Sequence, residues 1–116
     1  MARSRDATAP TPPQPGRILR DHILPGLGLS VSQAARELRI ARQTLHRVLA
    51  GTVGVTPEMA TRLARLSGTS AGFWLSLQQQ HDLSLAEEAL SGELKLIPAH
   101  TLSNTIRTEI GLQSEL

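Results

Sequence analysis

VSQAARELRIARQTLHRVLAG, residues 31–51, reads as two short amphipathic helices and the turn between them. Ser30 followed by Gln33 is a capping-box pattern, in which a hydroxyl accepts from the third backbone N–H of a new helix. Ala34, Ala35 and Leu38 then supply a narrow apolar face that ends near Arg39. After the three residues Arg39, Ile40 and Ala41, apolar spacing resumes at Leu45, Val48 and Leu49, and Gly51 is the natural stop. The second helix therefore presents Arg42, Gln43, Thr44, His46 and Arg47 on its other sides, with no acid among them. Small residues where two helices cross, apolar anchors beneath the second and a basic outer face make a helix-turn-helix pattern.

Outward from this unit the signals are helical on both sides. Upstream, Ile18, Leu19, His22 and Ile23 share one helical face over Arg17 to Leu24, and Pro25 is expected to stop that run. Residues 1–15, rich in Pro, Thr, Ala and Ser without apolar periodicity, read as a flexible arm. Downstream, Thr56, Pro57 and Glu58 are a strong helix start, combining a hydroxyl cap, a first-position proline and an acid at the positive end of the dipole. Met59, Ala60, Leu63 and Ala64 form its inner face and Gly68 ends it. Ser70 caps a fifth, longer helix over residues 71–90, with Trp74, Leu77 and His81 at helical spacing and Gly92 as its end. Phe73 and Trp74 are expected in the core, as the large side chains of the domain. Glu93 to Ile97 alternates polar and apolar before Pro98 and reads as a short strand or extended arm. Residues 99–116 receive no firm assignment. The expected architecture is all-α: a five-helix repressor-like domain over 16–91, a flexible arm over 1–15, and a tail over 92–116 able to serve dimer or partner contacts.

Composition agrees with one helical domain. The chain has 116 residues, of which 40% are hydrophobic, with Leu and Ala dominant and Phe73 and Trp74 the whole aromatic content. The absence of cysteine excludes disulfides, thiolate metal sites and a cysteine nucleophile. No apolar run is long enough to span a bilayer, and a proline-rich start is unlike a signal peptide, so a cytoplasmic location and no membrane partner are expected. Net charge is only +2, but it is unevenly placed. Residues 17–65 carry eight Arg against Asp21, Glu37 and Glu58, a net of +5, whereas residues 66–116 carry a net of −4. A basic half joined to an acidic half suggests a polyanion reader beside a segment with another task.

The residues that would carry such reading lie at the two helix starts. In a major groove, Gln43 matches adenine N6 and N7, and Arg42 matches guanine O6 and N7 or a phosphate. Thr44 suits a thymine methyl or a phosphate, and His46 and Arg47, one turn on, suit groove or backbone contacts. Ser32 and Gln33 are placed to tie the first helix to phosphate. Glu87, Glu88 and Glu93 are a solvated face or a docking surface for a basic protein. His22, His46, His81 and His100 lack metal-ligand spacing, and no base, nucleophile or metal set stands out, so neither an enzyme nor a cofactor is expected.

GLSVSQAARELRIARQTLHRVLAG, residues 28–51, followed by VTPEMATRLARLSGTSAGFWLSLQQQHDL, residues 55–83, closely resembles HigA-type antitoxins of the XRE, phage-repressor-like helix-turn-helix class. With the preceding PGRILRDHILPGLGLS the resemblance covers residues 15–86. It implies a dimeric operator-binding protein that represses its own operon and neutralises a HigB-like toxin, a RelE-like ribonuclease that cleaves ribosome-bound mRNA. Three positions depart from the family pattern. Arg39 stands where the turn usually has glycine, Ala41 replaces the usual serine cap of the recognition helix, and His81 replaces a common tyrosine. The first two are expected to cost about 1 kcal/mol each. They weaken or re-aim the recognition helix, and Arg39 offers an added phosphate contact in return. Two alternatives stay open: a stand-alone XRE-type transcriptional regulator, and an interaction-only subunit that has lost DNA binding.

Overall fold

The computed structural model describes residues 11–112, and the first ten residues of the expected arm lie outside that range. Pro15 occupies the first position of α1 (Pro15–Ile18), where a missing N–H costs nothing, so the helical path starts two residues before the expected point. Pro15 and Gly16 are both buried. Pro25 does not stop the path. The turn Leu19–Ile23 is π-helical, Leu24 N–H closes on the Leu19 carbonyl, and α2 (Leu24–Leu27) continues with Pro25 in its first turn. The wider turn accommodates a ring that an α-helix interior would not. Gly28, at φ 68°, ends the path.

The helix-turn-helix follows as α3 (Val31–Leu38) and α4 (Arg42–Ala50), then α5 (Pro57–Ser67) and α6 (Ala71–Ala89). Ser30, Thr56 and Ser70 each accept from the backbone N–H three residues on, as their sequence positions require. Ala34 and Ala35 are buried where α3 meets α4, and Leu19, Leu24, Leu38, Leu45, Val48, Leu49, Val55, Met59, Ala60, Leu63 and Trp74 complete the core around them. Trp74 is fully buried and its indole N–H donates to Thr69 Oγ1 at 2.8 Å. Phe73 is 41% exposed, contrary to the expectation that both aromatics enter the core. Neighbours on an α-helix point about 100° apart, and Trp74 has the inward direction, leaving Phe73 edge-on to it with ring centroids 5.2 Å apart.

Beyond α6 the path remains helical. Gly92 lies inside α7 (Ser91–Leu94), and Leu96 and Ile97 bond back to Glu93 and Leu94, so the expected strand over 93–97 is absent. A lone strand would have had no partner for its backbone groups, whereas a turn satisfies them locally. α8 (Asn104–Glu109) arises in the stretch left unassigned, with Ser103 as its cap. No residue after Trp74 is buried among the described residues, and Leu83, Leu85, Leu90, Leu96, Ile97, Leu102 and Ile110 are exposed. Among the described residues no helix is long and apolar enough to cross a membrane.

Candidate nucleic-acid interface

α4 is held by one face. Leu45, Val48 and Leu49 are buried against the core, which turns Arg42, Gln43, His46 and Arg47 outward, and all four are exposed. Thr44 sits on the flank, half-buried at the edge of a cavity of about 270 Å³ that Val48, Val53 and Met59 also line. Ser32 and Gln33 lie in the first turn of α3. The Gln33 amide donates to Glu37 Oε2 at 3.1 Å, so its side chain leans along its own helix.

The electrostatics favour an anion. Among the described residues the ion pairs are Arg20–Asp21 and Arg62–Glu58, and neither Arg42 nor Arg47 belongs to one of them. Among the described residues α4 is also the one helix of eight residues or more whose N-cap, Ala41, offers no side-chain hydrogen bond. Its first backbone N–H groups are left open at the positive end of the helix dipole, the arrangement that suits a phosphate oxygen.

Several positioning residues escaped the sequence reading. Arg62 Nη1 donates to the Leu38 carbonyl at 2.7 Å while Nη2 meets Glu58 Oε2 at 3.0 Å, which anchors the turn before α4. The Glu58–Arg62 spacing was readable as a helix pair, but a contact 24 residues back was not. Gln78 Oε1 accepts from Val55 N–H at 2.7 Å and ties the loop after α4 to α6. An added Cβ at Gly16 would overlap the Val48 carbonyl, so α1 packs backbone to backbone on α4. His81 Nδ1 lies 2.9 Å from the Pro12 carbonyl; since a carbonyl only accepts, Nδ1 carries the hydrogen.

The family model for a helix-turn-helix domain matches residues 2–72. The uncharacterized HTH-type transcriptional regulator YddM of Escherichia coli (strain K12) is 38% identical over 78 residues, 67% of this chain and 82% of that protein. Among solved structures, the Pseudomonas aeruginosa antitoxin HigA with the higBA promoter is similar with a TM-score of 0.72 and 33% identity, over 78% of this chain and 99% of that one. The antitoxin GraA in complex with its operator gives a TM-score of 0.73 and 32% identity, over 83% and 97%.

Proposed function

The chain belongs to the helix-turn-helix domain family, and from that premise we propose that it is an operator-binding antitoxin acting in the cytoplasm. Arg42, Gln43, Thr44, His46 and Arg47 enter the major groove, Ser32 and Gln33 meet phosphate, and occupancy of the promoter represses the operon. The observation that carries this reading is the outer face of α4: exposed, basic, without a side-chain cap and braced from beneath by Leu45 and Val48. The likeness to antitoxins solved with promoter and operator DNA supports it.

Dimerisation belongs to the same proposal. Two recognition helices read half-sites about 34 Å apart only if two copies are held in fixed relation. The run of exposed Leu and Ile from Leu83 to Ile110 supplies apolar surface for that contact. A HigB-like, mRNA-cleaving toxin is the second client, met by a chain whose residues 66–116 are net acidic. A stand-alone regulator is the competing reading, favoured by the likeness to transcriptional regulators such as YddM.

The direct test is fluorescence anisotropy on DNA from upstream of the protein's own reading frame, against a scrambled duplex, over a salt series. Salt-sensitive preference for the upstream duplex is expected, and equal affinity for both sequences defeats the proposal. A small basic ribonuclease-like frame immediately adjacent separates the antitoxin from the lone regulator.

A further inference from the structure

Five described residues have left-handed backbone, and four of them, Gly28, Gly51, Gly68 and Gly111, are glycine. The fifth is Arg39, at φ 62° and ψ 44°, in the turn that delivers the recognition helix. An arginine gains nothing in backbone energy there over glycine, and strained positions persist where the surroundings enforce them and the side chain has a use. The side chain of Arg39 is exposed and takes part in neither ion pair among the described residues.

Arg39 lines an open groove of about 510 Å³ between the turn and α5, together with Arg62, Arg65, Glu37, Leu38 and Leu66. Three guanidiniums face one carboxylate there, and that carboxylate already accepts from Gln33. Arg62 is committed to the Leu38 carbonyl and to Glu58, which leaves Arg39 and Arg65 to meet a ligand. Arg39 precedes Arg42 by three residues, so their backbones are at most about 10 Å apart. The major groove that would receive α4 is about 12 Å wide and edged by phosphates. A cation that close to the start of α4 is within reach of the phosphodiester backbone that edges the groove.

We infer that Arg39 and Arg65 form a phosphate clamp that extends the DNA contact from α4 onto the strand edge beside α5. This rests on the proposed DNA binding and adds two contacts to it. The clamp gives Arg39 opposite effects on the two equilibria: glycine would relieve the turn and remove a phosphate contact.

The experiment measures anisotropy of the full chain on its upstream duplex across a salt series, with thermal melts of each variant alone. Arg39→Gly should raise Tm by about 4 °C while lowering the magnitude of the log K against log salt slope by about 0.9. Arg65→Gln, in an exposed helix position that leaves the turn alone, should lower it by about the same, and the double variant by about 1.8. Arg39→Lys keeps the charge and the backbone strain and should retain the wild-type slope. Wild-type slopes in Arg39→Gly and Arg65→Gln overturn the clamp and would give the groove to an acidic protein segment instead. A slope lost equally in Arg39→Lys also overturns it, because charge would not be the cause. A wild type without salt-sensitive binding defeats the DNA reading and the clamp with it, whereas normal wild-type binding with unmoved variant slopes defeats the clamp alone.

Discussion

Arg62 Nη1 lies 2.7 Å from the carbonyl oxygen of Leu38, so a side chain of α5 closes the C-terminus of the helix that precedes the recognition helix. The same guanidinium reaches the Arg39 carbonyl at 3.4 Å and Glu58 at 3.0 Å. The turn between α3 and α4 is thus held from α5 as well as by its own backbone. Charged hydrogen bonds to backbone are worth about 1.5–3 kcal/mol, and this one is partly exposed. Arg62→Ala should therefore cost about 1.5 kcal/mol in urea unfolding, with Arg62→Lys recovering only part. An unchanged urea midpoint for Arg62→Ala would show that the turn does not need the bond.

Gly16 and Gly26 make a matched pair. A Cβ at Gly16 would overlap the Val48 carbonyl, a backbone group that cannot swing aside, whereas nothing lies within 4 Å of a Cβ at Gly26. Gly16→Ala should destabilise by about 2 kcal/mol. Gly26→Ala should be neutral or stabilise by up to about 1 kcal/mol through the unfolded chain. Equal unfolding midpoints for the two variants would contradict the close approach of α1 to α4.

Ala41 has φ −66° and ψ 142°, the backbone conformation of a working N-cap, but no side-chain acceptor. Ala41→Ser should thus add about 1 kcal/mol of stability without altering the fold. Differential scanning calorimetry reads this directly, and a lower Tm would mean that a neighbouring group already serves those N–H donors.

Arg42 and Gln43 are exposed in the first turn of α4, and alanine is an excellent helix former. Arg42→Ala with Gln43→Ala should leave Tm within about 2 °C. The preference for the upstream duplex over a scrambled one should fall by a factor of about 10–100 per lost bidentate contact. Retained preference would move base reading to other residues of the helix.

Legibility differed between kinds of feature. The caps at Ser30, Thr56 and Ser70, the glycine stops at 51 and 68, and the burial of Ala34, Ala35, Leu45 and Val48 were all readable, because each depends on residues within about one helical turn. α8 lies in the stretch without a firm assignment, because Leu102, Ile106 and Ile110 give only weak helical spacing and Ile106 alone of the three falls inside the helix. The exposed face of α4 followed from the same spacing that identified its buried one. Pro25 does not end the helical path because the clash that makes proline a helix breaker belongs to an α-helical turn, and the turn before it is π-helical.

By itself the sequence determined an all-helical chain, the position of the helix-turn-helix and the uneven placing of charge, since periodicity, capping and charge are local properties of the covalent order. Only the tertiary structure decided that Trp74 and not Phe73 enters the core, that Arg62 anchors the turn, and that Arg39 and Arg65 share one groove. Those outcomes depend on which helices pack together and at what angle. Residues 24 or 26 positions apart meet only when closing the core brings their helices into contact, and no spacing along the chain encodes that meeting.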